Sequence, residues 1–167
     1  MKRVVAFSLA LMLSACLGGS GSGSDDIDRY ESTVDGFSCV PPKDWSVRRD
    51  RGTVLFTSNA DSRRTIAIRS VSLSGSRSAA SVAQDTETVL RALPAANVGP
   101  PRPIRGALAG LEYQLTFAPP NASSRYARKH FVLSAQHHVF HVIETSPLSN
   151  VTDESVLELV TSMQEES

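Results

Sequence analysis

Cysteine is nearly absent from this chain of 167 residues, which has Cys16 and Cys39 and no others. Cys16 closes an N-terminal apolar run and is read below as modified, which leaves Cys39 alone and excludes an internal disulfide in the mature domain. There is no C-x-x-C pair, so a thioredoxin-type redox site is excluded too. Aromatic residues make up 6% of the chain, with Trp45 the single tryptophan. No surplus of either charge exists, since 17 basic residues balance 17 acidic ones. That argues against a nucleic-acid binder, which carries a basic excess. The apolar run at residues 4–12 is far shorter than the ~20 residues a membrane-spanning helix needs. Catalytic signatures are missing as well: G-x-S-x-G, G-x-G-x-x-G, the P-loop and H-E-x-x-H do not occur. The expectation is a protein that is not an enzyme and uses no cofactor.

What the N-terminus does contain is a signal. Lys2 and Arg3 precede the apolar run, and Leu13-Ser14-Ala15 places small residues before Cys16. This layout is that of a secretory signal peptide with a small-residue cleavage site, and its end resembles the lipobox of bacterial lipoproteins. Residues 1–15 are therefore read as a lipoprotein signal peptide, with Cys16 as the lipidated residue, carrying acyl chains such as palmitate. Each buried CH₂ contributes about 0.8 kcal/mol, and stable anchoring takes more than one chain. Cleavage leaves 152 residues with 15 basic against 17 acidic groups. Residues 16–33 read as the lipidated cysteine and a flexible tether, because residues 18–24 contain only Gly and Ser. The expected location is the cell envelope, lipid-anchored. Leu17 after the cysteine favours the outer membrane, facing the periplasm.

Residues 34–164 are read as one domain of ordinary globular composition, the whole chain being 41% apolar. Asp35-Gly36 followed by residues 37–40 reads as a turn and a strand, which Pro41-Pro42 ends. Cys39, inside that strand, is expected to be a small buried hydrophobe. Residues 53–57 and 65–71 alternate as strands. A helix is predicted over residues 78–93, capped by Ser78, with Val82, Thr86, Val89, Leu90 and Leu93 on its buried stripe. Leu111, Tyr113, Leu115 and Phe117 alternate in a further strand. Residues 125–134 and 138–145 form a hairpin, and a last helix runs to Met163 from a cap at Thr152 or Asp153. Its stripe is Val156, Leu159, Val160 and Met163.

Both faces of that hairpin are apolar. Phe131, Leu133, Phe140 and Val142 share one, and Val132, Val139 and Ile143 share the other. A sheet apolar on both faces needs cover on both sides. The predicted fold class is α+β: a single antiparallel β-sheet flanked by helices on both faces, an α/β/α sandwich.

The opening Gly36-Phe37-Ser38-Cys39-Val40-Pro41-Pro42-Lys43-Asp44-Trp45 resembles the start of the PsbP-like superfamily, whose bacterial members include DcrB-like lipoproteins. The Gly-led strand at Gly110-Leu111-Glu112-Tyr113, the long hairpin and the closing Ser162-Met163 extend the resemblance over residues 34–164. It implies a PsbP-like fold and a noncatalytic binding or scaffolding role. It also implies that Trp45 packs under the first strands.

The four histidines, His130, His137, His138 and His141, are the unusual cluster. If Leu133 pairs with His138 across the hairpin, His130 falls opposite His141, near enough to share a metal. These two are the candidate metal ligands. Arg125, Arg128 and Lys129 form a small basic group beside them. The expected function is a bacterial envelope lipoprotein with a protein-binding or scaffolding role, in envelope assembly or as an immunity protein. The alternative is a periplasmic small-ligand or metal carrier. The expected partners are the membrane, through the lipid, and another protein.

Overall fold

The computed structural model describes residues 28–74, 78–119, 123–148 and 154–166. The signal peptide, Cys16, residues 17–27 of the tether and the Thr152 or Asp153 cap lie outside the described residues. Strands dominate the fold. They run β1 (Tyr30–Ser32), β2 (Phe37–Cys39), β3 (Trp45–Asp50), β4 (Thr53–Ser58) and β5 (Thr65–Ser72). Helix α1 (Ala79–Arg91) follows, then β6 (Asn97–Val98), β7 (Arg102–Ile104), β8 (Ala109–Phe117), β9 (Tyr126–Ser134) and β10 (His138–Pro147). Helix α2 (Glu154–Ser162) and β11 (Gln164–Glu165) close the described chain. No described helix is long and apolar enough to cross a membrane.

Two sheets form where one was expected. The larger has eight antiparallel strands in the order β3-β4-β5-β10-β9-β8-β6, with β7 also paired to β8. The smaller has three, in the order β1-β2-β11. The sandwich expectation is corrected accordingly: the described residues are mostly β-sheet with two helices, and α2 shares its side of the large sheet with the small one. Pro41-Pro42 explains the split, because a chain without N–H donors at two successive positions cannot run on from β2 into the large sheet's ladder. Folding also starts earlier than residue 34. Tyr30, within the segment read as tether, sets its ring edge-on to Phe56 at 5.3 Å.

Side-chain alternation divides the core in two. On one face Phe131, Leu133, Phe140 and Val142 join Val54, Phe56, Ile66 and Ile68 beneath α2 and the small sheet. Cys39 lies here with no exposure, and burial pushes its thiol up to about 12. Trp45 packs against this core from its edge. On the other face Val82 and Leu90 of α1 meet Tyr113, Leu115, Phe117, Val132 and Val139. The hairpin's two apolar faces are as the alternation predicts.

Carboxylates tie the small sheet down. Asp35, in the turn after β1, accepts from the Nε and Nη2 of Arg49 on β3, both at 3.0 Å. The hydroxyl of Ser32 also donates to it at 2.6 Å. Glu165 on β11 accepts from the backbone N–H of Gln136 and His137 and bonds His138 Nδ1, all within 3.0 Å. The Arg49 guanidinium holds Asp35 below its ordinary pKa. At Glu165 burial pushes upward, but the bonds from His138 and the two backbone amides outweigh it, and the pKa falls below the ordinary 4.5. Both groups are depressed in the folded state, so their stabilisation is present above the unfolded values and is lost as pH falls through the folded ones. The urea midpoint is therefore expected to hold from neutrality to about pH 5 and then to drop. Glu165→Gln should lower the neutral midpoint and flatten the acid loss. A midpoint unchanged between neutral pH and pH ~3 contradicts this assignment.

Candidate functional site

Helix α1 sets one wall of the site. Ser78 caps it, its hydroxyl accepting from Ser81 N while Ser81 Oγ accepts from Ser78 N, each at 3.2 Å. Val82, Thr86 and Leu90 are its buried stripe, and Tyr113 on β8 donates its hydroxyl to Ala83 O at 3.3 Å. That anchorage holds α1 over β8, β9 and the start of β10, leaving β4, β5 and the far part of β10 uncovered on the same face. Val89, expected in the buried stripe, is instead 63% exposed, because no strand lies under that side of the helix.

The gap between α1 and the uncovered strands is a cleft of about 580 Å³, a size typical of small-molecule sites. Its cations come from three places. Arg51 sits in the β3–β4 turn, where Arg51 and Gly52 take φ of 47° and 74°; positive φ at both positions is the mark of a type I′ hairpin turn. Arg69 on β5 pairs in register with Thr53 and with His141, and donates its Nε to Thr53 Oγ1 at 3.0 Å. Arg128 on β9 lies 4.5 Å above the Phe117 ring. Leu90, Leu93 and Ile143 supply apolar wall. An adjoining pocket of about 200 Å³ shares His130 and His141 and reaches Asp85.

The hairpin register differs from the expected one by two residues. Leu133 faces Phe140, and His130 faces Ile143 rather than His141. A two-residue slip preserves which face each side chain occupies, so His130 and His141 become diagonal neighbours. They meet all the same: His130 Nε2 lies 2.9 Å from His141 Nδ1. The other two histidines do not join them. His137 is in the turn with its side chain 70% exposed, and His138 stacks on Phe140 on the opposite face. The basic group also divides by alternation, Arg128 sharing the face of His130 while Lys129 belongs to the other. Arg125 donates to Thr116 Oγ1 at 3.1 Å.

Two polar groups in the cleft are buried and unpartnered. His130 is 6% exposed, and its Nδ1 has no hydrogen-bond partner. Burial, reinforced by the nearby His141 and Arg128, pushes its pKa down to about 3, so the ring is neutral at neutral pH. Arg128 Nε is likewise buried without a partner, and burial pushes the guanidinium below its ordinary value. Sequence reading missed Arg51 and Arg69. Alternation places Arg69 opposite Ile66 and Ile68, but its neighbourhood with His141 depends on β5 pairing with β10, across more than sixty residues of chain.

No family model and no curated protein matches the sequence. Solved structures do. A protein from Bacteroides thetaiotaomicron superposes with a TM-score of 0.60 at 15% identity, over 78% of this chain, which spans 45% of that one's length. The cyanobacterial PsbP protein (CyanoP) of Synechocystis sp. PCC 6803 superposes with a TM-score of 0.56 at 14% identity, over 92% of this chain and 98% of its own. LpqN of Mycobacterium tuberculosis, described as involved in cell envelope biogenesis, gives 0.48 at 18% identity over 80% of this chain and 82% of its own. At such identities the likeness is one of fold. With nearly the whole of both chains aligned to CyanoP, the protein has the PsbP-like fold.

Proposed function

We propose that this is a lipid-anchored, noncatalytic envelope protein, held outside the cytoplasm through Cys16, that works by binding through the cleft beside α1. The observation that carries this reading is the cleft itself. It offers cations and a neutral imidazole with unused bonding capacity on a rigid sheet, and the sequence supplies none of the nucleophile signatures that would make it a hydrolase. The lipobox-like Leu13-Ser14-Ala15-Cys16 supports the anchor, with Leu17 favouring the outer membrane. A protein of the same compartment is the macromolecular partner, in an assembly or an immunity role, and the cleft takes a small group rather than the whole of that partner. Labelled palmitate is expected to enter the protein, and Cys16→Ala to release it from membranes. The mature protein is expected to recover a reproducible partner from detergent extracts. Membrane retention of the Cys16→Ala protein, or no partner across several growth conditions, overturns the reading.

The histidine pair favours a second reading, a divalent-metal carrier. Two imidazole nitrogens 2.9 Å apart supply part of a site, but zinc takes at least three protein ligands. Among the described residues no three His, Cys, Asp or Glu gather, so the bound partner must complete the set. Zinc or copper binding tighter than millimolar and abolished by His130→Ala supports it; weaker binding ends it.

A further inference from the structure

We propose that the cleft beside α1 takes an amphiphile with an oxyanion at one end. The head sits among Arg128, Arg69 and His130, and the apolar body lies along Leu90, Leu93 and Ile143. This rests on the cleft being the protein's binding site.

Arg128 is the starting point. Among the described residues Arg49 pairs with Asp35, Arg63 with Asp61, Arg64 with Glu144 and Arg91 with Glu87. Arg128 has no carboxylate partner among the described residues. Its Nε is buried and unbonded, and its guanidinium carbon lies 4.5 Å from the centre of the Phe117 ring. A partly desolvated charge without a counter-charge is unfavourable, and an oxyanion that bonds it in a planar fork relieves the deficit. His130, two residues along the same strand face, has the second unmet need. If its Nε2 accepts from His141, its proton sits on Nδ1, a neutral donor left without a hydrogen-bond partner. Arg69 adds charge from β5. No carboxylate is among the residues that line this cleft, and Asp85 lines the adjoining pocket.

The walls decide between kinds of anion. A bare inorganic ion would leave Leu90, Leu93, Val71 and Ile143 wet, and a neutral hydrocarbon would leave Arg128 unmatched. A carboxylate or phosphate ester with a short apolar body satisfies both, and a volume of about 580 Å³ accommodates it.

The test uses the mature lipoprotein in phosphatidylcholine nanodiscs, titrated calorimetrically with empty discs subtracted. Hexanoate and hexyl phosphate are the two anionic probes, and the tighter one identifies the head chemistry. Hexanol is expected to bind about tenfold or more weakly than the better anion. Octanoate is expected to bind about tenfold tighter than hexanoate, from two further buried CH₂ groups. Arg128→Gln should weaken the anion about tenfold or more, while exposed Lys43→Gln leaves it unchanged. Arg128→Met separates this role from mere packing: the ligand-free protein should melt higher, because a desolvated charge is gone. Hexanol binding as well as hexanoate, no binding of either anion at millimolar concentration, or Arg128→Gln binding like the parent each overturns the proposal. In those cases anchoring by Cys16 and partner recovery are unaffected, so the function reading is tested separately.

Discussion

Gly110→Ala is expected to cost about 3 kcal/mol or more, because a side chain has no room there. A Cβ at Gly110 would be driven onto the carbonyl oxygen of Val132 and to 3.0 Å from Leu133 Cα. These are backbone atoms of β9, the strand to which β8 is paired from Ala109 to Phe117. A flexible side chain could swing aside; a ladder strand held on both edges cannot. The damage should spread to β9 and β10, lowering the urea midpoint and the protection of their amides from hydrogen exchange. Gly99→Ala is the control. Its Cβ would meet Gln114 O at 3.4 Å, an ordinary contact, and the protein should keep nearly its full stability. Equal effects from both substitutions would contradict the argument.

Phe140→Ala is expected to cost about 3–5 kcal/mol, the usual loss when a large buried ring leaves a cavity. Phe140 is fully buried. It meets Phe37 of the small sheet edge-on at 5.9 Å and stacks on His138 at 5.7 Å, so one ring joins the two sheets and the turn clamped by Glu165. A domain of this size holds on the order of 5–15 kcal/mol in all, and much of that margin should vanish. Phe140→Leu should recover more than half of the loss. Because Phe140 faces away from the cleft, anion affinity in the folded fraction should match the parent. A cleft that loses affinity in proportion to stability would show that the two faces are not independent.

Local patterns made much of the fold readable. Alternation in residues 131–133 and 139–143 assigned the two faces of the central hairpin, since the strand period of two needs no tertiary information. Ser78 and the spacing of Val82, Thr86 and Leu90 located α1 to within two residues at its far end. What stayed hidden was non-local. The small sheet joins Ser38 to Gln164, and three-residue strands carry too little pattern to announce themselves. The hairpin register is not legible to within two residues, because residues 135–137 contain no Asn-Gly pair to fix the turn. Faces survive such a slip and partners do not, so the His130–His141 contact was legible as a neighbourhood but not as a diagonal. The arginines of the cleft were harder still, since Arg51, Arg69 and Arg128 come from three separate hairpin segments. Val89 shows the converse failure: its helical position is that of a core residue, and only the absence of a strand beneath it leaves it bare.

The pairing of β1 with β2 and of β2 with β11 has a practical corollary. The chain enters the fold at Tyr30 and reaches Glu165 on the same small sheet, whose residues belong to the core beneath α2, while the arginines open on the reverse of the large sheet. Traction from any surface fixed upstream of Tyr30, whether a bilayer or a sensor chip, is thus applied at the back of the molecule. The arginine-lined face lies opposite the point of attachment, so fixing the chain there leaves that face uncovered.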